Sequence, residues 1–355
     1  MKRKVVVGLS GGVDSSVCAY LLKEQGYEVI GVTIDTCQSA AGETAWDEAS
    51  KAQLSDARKV AEHLGIPFHV VDLKKEFKCH VMDYFIEEYL AGRTPNPCVM
   101  CNRYVKWEAL LTWAKEMGAD YVATGHYAQI EHLPNGRYTV KNSVTALKDQ
   151  TYALCNLTQE QLSKTLMPIG GYTKEEIRSI AMQAGIPVAT KSDSQDICFV
   201  PDDDYVGFLS RRVPDRMPGE GNFVDKDGKV LGRHKGVTNY TIGQRKGLGI
   251  AMGHPVFVSK LIPEKNEVVI GENEDIFTTE VICHSVNYMS IADFAEPIRV
   301  MAKIRYHHAG DYCTLHKMEN GDIKCIFEVP VRASTPGQVI VFYEEDHVLG
   351  GGIIR

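Results

Sequence analysis

Gly8-Leu9-Ser10-Gly11-Gly12-Val13-Asp14-Ser15-Ser16 is the stretch on which the reading of this chain turns. It follows the apolar run Val5-Val6-Val7 and precedes Val17-Cys18-Ala19-Tyr20-Leu21-Leu22, whose apolar residues recur at helical spacing. The order is strand, tight turn, helix N-terminus. Glycines let the backbone come close to a ligand, and the first free N–H groups of the helix, with its dipole, favour an anion there. A Walker-type phosphate loop closes with Gly-Lys-Ser/Thr. This loop closes with Asp14-Ser15-Ser16 and has no lysine. Without a cation for the β- and γ-phosphates it is poorly suited to moving a terminal phosphate. The plain alternative, a glycine-rich turn with no ligand, does not explain six ordered residues in a strand–turn–helix context.

Ser10-Gly11-Gly12-Val13-Asp14-Ser15 resembles the pyrophosphate loop of the N-type ATP pyrophosphatases. That superfamily splits ATP between the α- and β-phosphates and transfers AMP to an oxygen of its substrate. The flanking pattern suits such a loop. Glu28 to Asp35, Phe68 to Asp72 and Tyr121 to Gly125 read as further strands. Ala52 to Leu64, Phe77 to Leu90 and Tyr104 to Met117 read as helices, and Thr173-Lys174-Glu175-Glu176 is a capping box. Strands alternating with helices give a parallel sheet covered on both faces, with ligands at the carboxyl ends of the strands. That edge collects Ser10, Ile34 and Gly125. Ile34 is either an adenine contact or a core residue. Pro134-Asn135-Gly136 reads as a hairpin turn between Ala128–His132 and Arg137–Val140.

A chain of 355 residues with 44% hydrophobic and 24% charged residues is a soluble globular protein of two or three domains. The first residues, Met1-Lys2-Arg3-Lys4, run directly into a strand, with no signal peptide and no apolar run long enough to span a membrane, so the cytoplasm is the expected location. A net charge of −7 excludes a uniformly basic nucleic-acid coat but not a local basic face. The ten cysteines are not expected to form a disulfide framework in such a chain.

Gly92-Arg93-Thr94-Pro95-Asn96-Pro97-Cys98-Val99-Met100-Cys101-Asn102 is the second informative stretch. Two prolines keep it extended, and a helix starting near Asn102 would put Cys101 at a helix N-terminus, where the thiol pKa falls. Cys98-x-x-Cys101 admits half a zinc site, a redox pair or part of an iron–sulfur site. No second Cys-x-x-Cys completes a four-cysteine zinc site. The third stretch, Ser192-Asp193-Ser194-Gln195-Asp196-Ile197-Cys198-Phe199-Val200, sets Cys198 among carboxylates, which oppose thiolate formation. Alone, Cys198 is as readable as a core residue.

With Gly92 to Pro97, Thr124-Gly125-His126-Tyr127-Ala128, Lys148-Asp149-Gln150-Thr151-Tyr152, Ser194 to Phe199, Thr241-Ile242-Gly243-Gln244-Arg245-Lys246-Gly247 and Pro336-Gly337-Gln338, the whole chain resembles the tRNA-specific 2-thiouridylase (MnmA) family. The resemblance implies an α/β fold: an adenine nucleotide alpha-hydrolase-like catalytic domain (1–205), a small β-rich central tRNA-binding domain (206–275) and a C-terminal tRNA-binding β-barrel (276–355). It implies 2-thiolation of the wobble uridine. The C2 oxygen is adenylated from ATP with Mg2+, and sulfur then arrives from a cysteine persulfide. By matching position, Gly8, Leu9, Ser10, Gly11, Gly12, Val13, Asp14, Ser15, Ile34 and Gly125 bind ATP. Cys198 carries the persulfide and Cys101 is the second catalytic cysteine. Asn96, Pro97 and Cys98 meet the target base, while His126, Lys148, Asp149, Gln150, Arg305, Tyr306 and Gln338 meet the tRNA. His126 is equally readable as a packed strand-end residue. The implied partners are the tRNA anticodon arm and a persulfide donor protein, such as a cysteine desulfurase or a sulfur relay protein.

Many members of the family carry aspartate where this chain has Cys98. Cys98, Cys101 and Cys198 therefore raise an alternative, an iron–sulfur cluster with one iron open to sulfide. Another adenylating ATP pyrophosphatase is the remaining enzyme reading. Beyond Phe208 turns crowd together, and Arg233-His234-Lys235 with Arg245-Lys246 is a candidate surface for the tRNA backbone. From Val281 alternating strands suggest a small barrel in which Cys283, Cys313 and Cys325 are core, and Gly350-Gly351-Gly352 marks a bulge or a close backbone approach.

Overall fold

The structure is a computed structural model and describes residues 2–38, 44–192, 197–200 and 202–355. Asp193, Ser194, Gln195 and Asp196, in the stretch leading to Cys198, lie outside the described residues.

The amino-terminal half is built on β1 (Lys4–Gly8), α1 (Val13–Glu24), β2 (Glu28–Asp35), α2 (Thr44–Leu64), β3 (Phe68–Asp72) and β4 (Tyr121–Ala123). A hairpin of β5 (Ala128–His132) and β6 (Tyr138–Asn142) follows, then the short β7 (Thr165–Leu166). Five strands pair in parallel in the order β3-β2-β1-β4-β7. β1 is central because Val5, Val6 and Val7 are all fully buried. Val6 packs into one hydrophobic cluster and Val5 and Val7 into another, since alternate side chains leave a strand on opposite faces. Strand order reverses on either side of β1, so the crevice beyond its carboxyl end is the switch point where such sheets take ligands. The capping box at Thr173 is present and opens the helix Lys174–Gln183.

A second sheet contains β8 (Gly221–Val224), β9 (Val230–His234), β10 (Phe257–Ile262) and β11 (Glu267–Gly271) in the order β10-β11-β8-β9. His234, read from sequence as part of a basic surface, is instead buried against Phe223 and Tyr240, and burial lowers its pKa. Arg245 and Lys246 are exposed.

β12 (Phe277–Tyr288), β13 (Ile298–Lys303), β14 (Asp311–Lys317), β15 (Ile323–Arg332), β16 (Val339–Glu344) and β17 (His347–Ile354) form the third sheet. The order β12-β15-β14-β13-β16-β17 closes through the β12–β17 pairing into a six-stranded barrel. Cys283, Cys313 and Cys325 are fully buried in its core. A Cβ on Gly350 would stand 2.4 Å from the Asn287 carbonyl oxygen, so close backbone approach explains the glycine run. The β5–β6 hairpin leaves the parallel sheet and joins β17 at Lys141–His347. The Arg137 guanidinium donates to the carbonyls of Met289 and Tyr288 at 2.7 and 2.9 Å. The amino-terminal half and the barrel are therefore locked together rather than loosely tethered. Among the described residues no helix is long and apolar enough to cross a membrane.

Candidate functional site

The loop Gly8–Ser16 turns from β1 into α1, and its hydroxyls hold the turn. The Ser10 N–H donates to Ser15 Oγ at 3.2 Å, and the Ser16 hydroxyl donates to the Gly12 carbonyl at 2.7 Å. Gly11 has φ +67°, and a Cβ there would lie 2.4 Å from the Gln53 carbonyl oxygen, so only glycine fits. A Cβ on Gly125 would lie 2.5 Å from the Ser15 nitrogen, which places the end of β4 directly on the first helical N–H groups. Ile34 sits on the same edge in β2, half-buried against the core.

Cations the loop lacks are brought by distant residues. Lys174 Nζ meets both Asp14 carboxylate oxygens at 2.8 and 2.9 Å, and the Tyr127 hydroxyl donates to the same carboxylate at 2.8 Å. Lys191 Nζ donates to the Gly11 carbonyl at 3.0 Å and to Asp56 at 2.8 Å. Neither lysine was legible as a loop partner, because each is more than 150 residues along the chain from it.

The cysteine segment departs from its sequence reading. The helix begins at Pro97, with Asn96 as N-cap accepting from the Val99 N–H at 3.4 Å, and runs through Pro97–Met100, a π-helical stretch Cys101–Ala109, and Leu110–Glu116. Proline is favoured at a first helical position because its missing N–H has no partner to lose. Cys101 therefore lies a turn inside the helix, and burial pushes its thiol up to about 11 rather than down. The same direction holds for Cys198. It is exposed at its surface yet ringed by enough protein that desolvation, then the Cys101 and Cys98 thiols, push it up to about 12. The three cysteines thus lie within electrostatic range of one another, and Cys98 is exposed. Among the described residues no three His, Cys, Asp or Glu side chains are placed to hold a metal ion.

A raised thiol is protonated at neutral pH, and its thiolate fraction grows as pH climbs toward the pKa. In the free protein, iodoacetamide labelling of Cys101, followed by peptide mass spectrometry, is expected to quicken about tenfold per pH unit from roughly pH 7 to 10. A plateau near pH 7 would show an activated thiolate instead.

The segment Thr124–Tyr127 links the loop to the helical stretch Cys101–Ala109. Gly125 presses on Ser15 and Tyr127 reaches Asp14. Between them His126 is held by the Thr124 hydroxyl at 2.8 Å and lies 5.6 Å from the Trp107 ring, and burial holds its pKa well below the ordinary histidine value. It is a neutral, packed imidazole at the site. Lys106, which sequence reading passed over, places its charge within range of Cys101, Cys198 and His126 together.

The remaining candidates converge from the barrel side. The Tyr306 hydroxyl donates to the Asp149 carbonyl at 3.0 Å, its ring stands edge-on to Tyr152 at 5.9 Å, and Cys98 lies within its electrostatic range. The Asn96 amide sits beside the Tyr152 hydroxyl, which donates to the Val339 carbonyl at 2.6 Å. Lys148 and half-buried Arg305 border this cluster. Three residues turn inward. The Asp149 carboxylate accepts from the Ser143 and Thr151 N–H groups at 2.8 and 3.1 Å. The Gln150 side-chain Oε1 accepts from the Tyr127 N–H at 2.9 Å. Gln338 donates its amide to the Thr94 carbonyl at 2.9 Å, steadying the segment before Asn96.

Fold and site define an enzyme in which a glycine-rich loop at the end of a parallel-sheet strand is joined through Thr124–Tyr127 to the helical stretch that begins at Cys101, with a β-barrel packed against the same half. A family described as "tRNA methyl transferase HUP domain" matches residues 3–202, "tRNA methyl transferase PRC-barrel domain" matches 206–272, and "Aminomethyltransferase beta-barrel domain" matches 278–354. The tRNA-specific 2-thiouridylase MnmA of Lachnoclostridium phytofermentans is 58% identical over 99% of both chains. That of Clostridium perfringens is 52% identical over 100% of this chain and 99% of its own, and that of Clostridioides difficile is 51% identical over the same shares. A 4-thiouridine synthetase solved with RNA and ATP is 20% identical with a TM-score of 0.33, covering 60% of this chain and 51% of that one. The chain belongs to the tRNA-specific 2-thiouridylase family.

Proposed function

We propose that this protein forms 2-thiouridine at the wobble position of tRNA, using ATP as its Mg2+ complex and a cysteine persulfide. The observation that carries the reading is the Thr124–Tyr127 segment, which in four residues joins a pyrophosphate-type loop to the helical stretch that begins at Cys101. The C2 carbonyl of uridine is a poor electrophile. Its oxygen attacks the α-phosphorus of ATP, pyrophosphate leaves, and the base gives up its N3 proton. Ser10 to Ser15 cradle the phosphates with backbone N–H groups, with Ile34 at the adenine. C2 now bears AMP as a leaving group. Cys198 presents the sulfur and Cys101 completes its transfer. A Cys101–Cys198 disulfide remains, and a dithiol reductant returns two electrons to it before the next turnover. Asn96, Pro97 and Cys98 meet the base. Lys148, Arg305 and Tyr306 hold the anticodon arm, while Asp149, Gln150 and Gln338 shape that surface from behind. A cysteine desulfurase or a sulfur relay protein supplies the persulfide, and the cytoplasm is where these components meet.

The mutual influence of Cys98, Cys101 and Cys198 favours one second reading, an iron–sulfur cluster taking sulfide. Among the described residues the three are not placed as a ligand set. Protein incubated with unmodified tRNA, ATP, Mg2+, a persulfide donor and a reductant is expected to yield 2-thiouridine by nucleoside mass spectrometry, with AMP, only when ATP is present. AMP without tRNA would favour another adenylating pyrophosphatase. Thiolation obtained only with anaerobic, iron-loaded protein would favour the cluster.

A further inference from the structure

Lys106 and Cys101 are five residues apart. In an α-helix that spacing turns two side chains about 140° away from each other. The stretch Cys101–Ala109 is instead π-helical, and its hydrogen bonds close five residues apart, so these two residues lie on one face, one turn apart. The rest of the stretch is pinned elsewhere. The Asn102 amide donates to the Ala153 carbonyl at 2.8 Å, Arg103 to the Asn156 carbonyl at 2.6 Å, and the Trp107 indole to the Thr165 hydroxyl at 2.7 Å. Those anchors fix the helix rotation that delivers Lys106 to the cysteines. Among the described residues no hydrogen bond or ion pair engages the Lys106 ammonium, and the side chain is only half-buried. A π-turn is a costly local geometry that proteins keep mostly where a site needs it.

We propose that Lys106 is a positioning residue for sulfur transfer, holding the transferable sulfur as an anion between Cys101 and Cys198. This rests on the thiolation reading above. The chemistry needs such a cation. When the Cys101 thiol attacks the inner sulfur of a Cys198 persulfide anion, a Cys101–Cys198 bond forms and the persulfide S–S bond breaks. The Cys101 proton leaves on the released hydrosulfide. That anion must be kept beside C2 until it displaces AMP and its hydrogen returns to N3. If the terminal sulfur attacks C2 before release, the same ammonium faces the same negative sulfur. His126 cannot serve, because burial keeps it neutral.

The test compares Lys106→Met and Lys106→Arg with the unaltered protein in single turnovers of persulfide-loaded enzyme. Two quantities are read: tRNA-dependent pyrophosphate release and 2-thiouridine formed. Lys106→Met is expected to slow sulfur transfer by about tenfold or more with pyrophosphate release within about twofold, and Lys106→Arg to restore most of the loss. Equal slowing of both steps, no restoration by arginine, or undiminished transfer in Lys106→Met would overturn the proposal. Absence of 2-thiouridine from the unaltered protein would instead sink the underlying function.

Discussion

Cys198→Ala is expected to lower 2-thiouridine formation by roughly four orders of magnitude or more, the scale seen when a nucleophile is removed, while tRNA-dependent pyrophosphate release continues. Cys101→Ala should fall as far, but at a different step. Mass spectrometry of protein exposed to a persulfide donor should find the added sulfur on Cys198 in the Cys101→Ala variant. It should find none in the transfer position when Cys198 is gone. On the proposed mechanism the two cysteines have separate tasks. Both thiols are raised, to about 11 and about 12, so neither is a ready nucleophile at neutral pH. On the proposed route the Cys198 thiol takes the outer sulfur from the donor persulfide, the donor thiol leaves, and the resulting persulfide, more acidic than a thiol, is the nucleophile toward C2. In that proposal Cys101, within electrostatic range of Cys198, is the proton-bearing partner. Undiminished activity in Cys198→Ala would remove the persulfide assignment. Cys98→Ala separates the remaining options: near-normal turnover leaves it a contact residue, and complete loss together with loss of bound iron supports a cluster.

Gly125→Ala should reduce ATP use by about a hundredfold, the cost of displacing reacting groups by an ångström. The added Cβ would lie 2.5 Å from the Ser15 nitrogen, 2.7 Å from the Asp14 carbonyl carbon and 2.8 Å from the Ser15 Cα. All three are backbone atoms at the start of α1, so relief requires moving the loop proposed to cradle the phosphates. Gly171→Ala is the control, because nothing lies within 4 Å of a Cβ there. Pyrophosphate release with saturating tRNA measures both, and thermal unfolding separates a moved loop from a broken fold. Equal activity in the two variants would mean that the loop opens away from β4 when ATP binds.

The surroundings of Gly125 show how unevenly the sequence reports this site. Local chemistry was open to reading. Gly11 and Gly12 before Asp14-Ser15 announce a strand–turn–helix anion loop, since tight turns and close approaches demand glycine wherever they occur. The capping box at Thr173, the hairpin at Asn135-Gly136 and the buried cysteines of the barrel follow from equally local patterns. Where the sequence misled, a longer-range or subtler term intervened. Asn96 caps a helix earlier than the prolines suggested, which moves Cys101 from a helix end to its interior and reverses the expected shift of its thiol. His234, charged in a basic triplet on paper, is neutralised by the aromatic rings that bury it.

By itself the sequence determined the parallel-sheet class and the strand–turn–helix loop with its missing lysine. Each depends on residue types at fixed short spacings, and short-range sterics and hydrogen bonding are the same in any protein. Only the tertiary structure decided what faces them. Lys174 and Lys191 reach the loop across the fold, and a π-helical register turns Lys106 toward the cysteines. Tyr306 ties the barrel to the Lys148–Gln150 turn. Those pairings depend on packing between segments more than a hundred residues apart, and on a helical repeat to which a 3.6-residue pattern is blind.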